Sequence, residues 1–321
     1  MSFSLSNFLE KKWCVLIAWQ LTSVVLCSAG TMCTYISIKF GTTIPFLMVF
    51  ITYVFLLISS CWKLPKAETS WWRFLVVAIA TICGDYTGVR AYSSTSLSSA
   101  LTLCTTTIFW VVPLSYFVFG RKINLKQFFA IILGVGGGAL IFIADGTSGS
   151  RWLGNVLAIV SAICYSVATV LQEYLVHNDS FQVYLFRFSA FAAPITSVCS
   201  GIVEWKTIRD FNWNWESILL IIAYSILLML YDVMAPYIMQ YSDATTMNLS
   251  LLTSNFYSLA ISILAFGQMA SWIYLLGFFC IPVAILIFTL SEKKTTDGLE
   301  EEEKKSTVIV QSLVSTEANE A

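Results

Sequence analysis

Ten apolar runs, each near the ~20 residues that cross a bilayer core, divide this chain of 321 residues. They cover Trp13–Ser37, Pro45–Trp62, Trp72–Tyr92, Ala100–Phe119, Leu125–Ala144, Trp152–Val176, Phe181–Val203, Ile218–Met239, Ala244–Phe266 and Trp272–Leu290. A hydrocarbon core offers no water to main-chain N–H and C=O groups, so runs of this kind span as helices. The expected fold is therefore an all-α polytopic membrane protein with ten transmembrane helices. Composition agrees: 57% of residues are hydrophobic and 12% charged, against about 25% charged in a soluble domain. A net charge of −1 directs no field at nucleic acid. The nine cysteines form no C-x-x-C pair, so apolar packing is expected of them rather than zinc or redox chemistry.

An even number of spans puts both termini on one side. Lys11, Lys12, Lys63, Lys66, Arg73, Arg121, Lys122, Lys126, Lys293 and Lys294 fall on that side, against Lys39, Arg151, Lys206 and Arg209 opposite. Positive charge favours the cytosol, so both termini are placed there. Residues 1–12 form a cytosolic N-terminus, 13–144 a first five-helix repeat, 145–151 a loop and 152–290 a second repeat. Residues 291–321, with the charge run Glu300 to Lys305, read as a disordered cytosolic tail.

A shift of 147 positions lays Asp85 on Asp232 and Phe119-Gly120 on Phe266-Gly267 without a gap. Repeats with an odd number of spans insert in opposite senses. Asp85 then lies roughly 20 Å along its span from the cytosolic side, and Asp232 roughly 21 Å along its own from the other side. Inverted repeats with a midplane site belong to secondary transporters.

A charge at bilayer depth costs about 2.5–3.5 kcal/mol on insertion scales, so intramembrane ionisable residues face a bundle interior or a wet cavity. Asp85 and Asp232 are thus expected to face one central cavity, as proton sites or as acids held in local hydrogen-bond networks. Arg90, about 140° around the helix from Asp85, either snorkels to the interface or meets an anionic group of a substrate. Glu173 and Arg187 flank a short loop at matched depth; an ion pair is expected there, as a gate or as a structural pair.

The fourth and ninth runs are rich in polar residues. Thr102 and Thr106 stand in the fourth, and Asn248 and Asn255, seven apart and so on one face, in the ninth. Two readings stand: a substrate cavity lined by hydroxyls and amides, or interhelical hydrogen bonding. Gly134-x-x-x-Gly138 reads as close helix packing, within the chain or across a homodimer; it lacks the Lys and the strand-to-helix turn of a phosphate loop. His177 is the lone histidine. No catalytic set, metal-ligand set or nucleotide motif is found, so neither enzyme activity nor a cofactor is expected.

Several stretches together resemble solute carrier family 35, subfamily F, of the drug/metabolite transporter superfamily. They are Val89-Arg90-Ala91-Tyr92, Ser94 to Leu97, Gln172-Glu173-Tyr174, Val203-Glu204-Trp205-Lys206, Trp213-Asn214-Trp215, Ser242-Asp243-Ala244-Thr245 and Asn248-Leu249. The resemblance runs from about Trp13 to Leu290. It implies a fold of two inverted five-helix repeats and transport between compartments. The acids depart from the family pattern, which has Asn and Ser where this chain has Asp85 and Asp232, so no coupling mechanism carries over. The expected function is secondary transport of a small polar organic solute, of nucleotide-sugar, nucleobase or nucleoside, or vitamin-like chemistry. The alternative is a membrane receptor, scaffold or trafficking component acting through its cytosolic tail. The partners expected are the solute and the lipid bilayer, in a Golgi, endosomal or plasma membrane.

Overall fold

The structure is a computed structural model and describes residues 12–61, 68–119, 124–145, 150–242, 247, 251, 253–265, 267, 271–284, 286–287 and 291. Asn248 and the tail from 292 onward lie outside the described residues. Among the described residues there is no strand. The helices are α1 (Lys12–Phe40), α2 (Pro45–Ser60), α3 (Trp71–Ser94), α4 (Leu97–Cys104), α5 (Thr107–Phe119), α6 (Leu125–Asp145), α7 (Ser150–Asn178), α8 (Phe181–Val203), α9 (Trp205–Asp210), α10 (Trp215–Met239) and α11 (Thr253–Leu264). A further apolar helix, α12, covers Trp272–Ala284. Helices α1, α3, α7, α8 and α10 contain the segments long and apolar enough to cross a membrane. Helices α2 and α12 are shorter apolar helices, as are Leu97–Val111 and Leu125–Ile141.

Local chemistry sets the helix ends. Gly41 adopts φ +70° and sends its N–H to the Ser37 carbonyl at 3.0 Å, closing α1 in a left-handed turn that favours glycine. Pro45 opens α2, where its missing N–H costs nothing. Asn214 and Ser217 exchange side-chain and main-chain hydrogen bonds of 2.7 and 3.0 Å, a capping box at the start of α10.

The fourth run departs from its expected form. It starts at Leu97 rather than Ala100, and it breaks at Thr105-Thr106, between α4 and α5. The hydroxyls of Thr105, Thr106 and Thr107 donate to the carbonyls of Thr102, Leu103 and Cys104 at 2.7, 2.6 and 2.5 Å. Three consecutive threonines thus compete for acceptors that a continuous helix would need.

Helix α3 packs most extensively on α7, α2 on α8 and α1 on α10, with α10 also meeting α2 and α3 meeting α8. The largest apolar cluster lies among these helices and includes Tyr53, Leu56, Phe74, Val77, Tyr184, Phe188 and Tyr224. A second joins α4, α5, α6, α7 and α12 through Leu103, Ile108, Phe109, Ile141, Ala158, Phe278 and Ile281. The glycines of α6 serve this second cluster. A Cβ on Gly134 would sit 2.0 Å from the Phe109 ring, and one on Gly138 3.6 Å from Leu103. The Gly134-x-x-x-Gly138 face is therefore filled by the chain itself, which takes away the motif's case for a dimer contact. Gly137 and Gly277 approach each other's carbonyls so closely that a Cβ on either would lie 2.9 or 2.6 Å away.

Large apolar side chains also cover the outside: Trp272 is 87% exposed, Ile202 77% and Trp72 61%. Apolar surface on this scale belongs against lipid rather than water.

Candidate functional site

Asp85 is buried on α3 and meets the main cluster at Tyr53. The Tyr165 hydroxyl of α7 donates to its Oδ1 at 2.5 Å, and the Tyr53 hydroxyl of α2 donates to its Oδ2. One carboxylate thus joins α2, α3 and α7. Close helix approach makes this reach available: a Cβ on Gly84 would stand 2.9 Å from the Tyr165 ring, and one on Gly88 3.2 Å from Ser161 Oγ. The Ser161 hydroxyl itself donates to the Gly84 carbonyl at 2.8 Å.

Asp232 is placed differently. Its Oδ2 is buried and has no hydrogen-bond partner among the described residues. It borders a cavity of about 30 Å³, lined on the polar side by Thr81, Gln172, Tyr184 and Tyr231 and on the apolar side by Phe188, Ala235, Pro236 and Met247. That volume holds about one water-sized body. The Tyr184 hydroxyl donates to Gln172 Oε1 at 3.2 Å, and the Thr81 hydroxyl to the Val77 carbonyl at 2.9 Å. Pro236 has no N–H to give to the Asp232 carbonyl one turn earlier in α10. Asp85 does not line this cavity, yet Tyr53, Tyr184, Tyr224 and Tyr231 stand within electrostatic reach of both carboxylates.

Among the described residues, Thr105 and Asn255 of the fourth and ninth runs meet between helices. Asn255 Nδ2 donates to Thr105 Oγ1 at 3.0 Å, across α11 and α4 at the break in the fourth run. Thr102 and Asn255 are fully buried, and Thr102 Oγ1 and Asn255 Oδ1 have no hydrogen-bond partner among the described residues. Thr106 is buried with its hydroxyl on the Leu103 carbonyl. None of the three borders the Asp232 cavity.

Two acids fasten the ends of the bundle. Glu204, 2% exposed after α8, accepts the N–H groups of Phe46 at 3.0 Å and Leu47 at 3.1 Å, the first turn of α2. Burial raises its carboxyl above the usual glutamate range, opposed by those two N–H groups and by the charge of Arg90. Arg90 is half-buried, with its guanidinium 5.9 Å from the Tyr86 ring centre, and Tyr86 stacks on Phe46 at 4.3 Å. At the other end, Asp179 accepts the N–H groups of Glu68 at 2.8 Å and Thr69 at 3.3 Å. Arg187 donates to the Thr69 carbonyl and lies over the rings of Trp71 and Phe74, at 4.4 and 5.2 Å. The expected Glu173–Arg187 ion pair is not found among the described residues: Arg187 turns to the start of α3, where aromatic faces and a carbonyl receive it. Glu173 is buried in α7.

Tyr53, Tyr165, Thr81 and the Asp179 and Glu204 fastenings were not singled out from the sequence. Tyrosine inside an apolar run is the one signal available, because a buried phenol needs a partner for its hydroxyl.

A family model for solute carrier family 35, subfamily F, matches residues 8–290. The chain is 28% identical over 295 residues to solute carrier family 35 member F2 of Mus musculus, covering 87% of this chain and 79% of that protein. It is 27% identical over 291 residues to the Xenopus tropicalis protein of the same name, covering 84% and 74%. An uncharacterized solute carrier family 35 member of Schizosaccharomyces pombe is 26% identical over 234 residues, covering 71% of this chain and 46% of that one. A solved crystal structure, 15% identical, shares the fold with a TM-score of 0.58 over 88% of this chain and 97% of its own. Its long apolar helices and the match over nearly all of its membrane part identify this chain as a member of solute carrier family 35, subfamily F, and an integral multi-pass membrane protein.

Proposed function

We propose that the chain is a secondary transporter that moves a small polar organic solute by alternating access between two inverted five-helix repeats, with both termini in the cytosol. The observation that carries this reading is the convergence of Asp85 and Asp232, one from each half, on a single set of buried tyrosines. Phenol faces and hydroxyls beside carboxylates suit a flat polar solute such as a nucleobase, a nucleoside or a vitamin-like compound; a nucleotide sugar, the remaining class, would need a cationic partner for its diphosphate. Packing supports the two halves. When each span is exchanged with the one five later, the α3–α7 contact becomes the α10–α1 contact, and α3–α8 becomes α10–α2. The α2–α8 and α4–α11 contacts, and the Gly137–Gly277 approach of α6 and α12, join matched spans directly.

The test is counterflow in proteoliposomes loaded with pooled solutes of these classes. The expected result is accumulation of one class above protein-free vesicles, reduced at least about tenfold by Asp232→Asn or Tyr53→Phe. A folded, correctly inserted protein that moves none of them would favour the receptor or scaffold reading.

A further inference from the structure

We infer that the Asp232 cavity is a binding site for one dehydrated monovalent cation of sodium size. Three observations point there together. Asp232 presents a buried oxygen with no hydrogen-bond partner among the described residues, and an unpaired carboxylate at this depth is costly unless something neutralises it. The cavity beside it is about 30 Å³, roughly a tenth or less of the volume that organic ligands occupy. Its polar lining is rich in oxygen: the hydroxyls of Thr81, Tyr184 and Tyr231 and the Gln172 amide, whose Oε1 already holds Tyr184. Thr81 spends its proton on the Val77 carbonyl, which leaves its lone pairs for a cation. Tyr184 spends its proton on Gln172 Oε1, which leaves the phenol lone pairs. Pro236 adds an acceptor, since the Asp232 carbonyl loses its N–H partner one turn on.

Hard oxygen donors of this kind suit alkali and alkaline-earth cations rather than soft metals. One carboxylate balances one positive charge, and Asp85 is already engaged by two phenols. A divalent ion would leave a buried net charge. The two halves thus differ in chemistry: the first fills its acid with tyrosine hydroxyls, and the second leaves room for an ion. The site stands whatever the chain transports; that its ion is the coupling ion rests on the transport reading.

The experiment is thermal unfolding of the full-length protein in nanodiscs, without solute, as sodium chloride replaces choline chloride at constant ionic strength. A single site at a hundredfold its dissociation constant raises the midpoint by about 5 °C. Asp232→Asn is expected to abolish the sodium-dependent rise. Thr81→Val, a change of similar shape, is expected to shift half-saturation to several-fold higher sodium. Glu216→Gln, at an exposed acid of α10, is expected to leave the rise unchanged. No rise with sodium, lithium or potassium in the wild-type protein would overturn the proposal, as would a rise that survives Asp232→Asn. So would a midpoint that answers to pH alone, which makes Asp232 a proton site. Counterflow of the solute is scored separately: transport without a sodium effect rejects the cation site alone, and a sodium effect without transport rejects the transport reading alone.

Discussion

Replacing Glu204 by alanine removes both acceptors that hold the first turn of α2. That turn begins at Pro45 and has no side-chain cap of its own from Ile44. The Phe46 and Leu47 N–H groups, at 3.0 and 3.1 Å from the two carboxylate oxygens, then lose their partners in a setting where Glu204 itself is 2% exposed. A buried donor left unsatisfied costs about 1–3 kcal/mol, so two give about 2–6 kcal/mol before relaxation. Glutamine retains one acceptor oxygen and turns an amide N–H₂ towards the second donor, so about half of that loss is expected. The pH dependence has a definite sign. The carboxyl is raised by burial in the folded state, so this group's contribution is fully present below its unfolded value and is lost as pH rises through the folded one. Acidification from neutral pH should therefore gain stability through Glu204 in the wild-type protein, and Glu204→Gln should lack that increment. Thermal unfolding in nanodiscs, followed by tryptophan fluorescence from pH 7 down to pH 4.5, measures both effects. An alanine variant within about 0.5 kcal/mol of wild type would refute the fastening.

Gly84→Ala should push the Tyr165 ring, 2.9 Å from the added Cβ, off Asp85 and cost about 1–3 kcal/mol, read as a lowered unfolding midpoint. Tyr53→Phe and Tyr165→Phe should each cost about 1–3 kcal/mol, and a double-mutant cycle of either with Asp85→Asn should show coupling above 0.5 kcal/mol. Asn214→Ala should cost about 1 kcal/mol by undoing the capping box of α10. Lys39→Gln, which breaks the exposed ion pair with Glu216, should change the midpoint little, because solvent screens such a surface pair.

Much of the fold was legible because lipid imposes one rule along the whole chain. The runs at Pro45, Phe181 and Leu125 open helices where hydropathy places them, and family membership follows from ordered short stretches across the same spans. The break at Thr105-Thr106 was not legible, since it arises from hydroxyls competing for carbonyls inside a run that stays apolar on average. Asp85 and Asp232 drew attention by their cost in lipid, but their different surroundings depend on which neighbours supply phenols. Tyr53 and Tyr165 lie 32 and 80 positions from Asp85, and nothing local in the sequence points from one to the other. Matched depth suggested Arg187 for Glu173, yet depth says nothing of the direction in which a long side chain leaves its helix.

Asp179 and Glu204 each take hold of main-chain N–H groups rather than side chains. Every residue except proline offers that group, so positions 46, 47, 68 and 69 can drift through evolution while both acids keep their grip. Methods that seek contacts through paired changes among relatives would therefore pass over both fastenings, although they tie together segments more than a hundred positions apart.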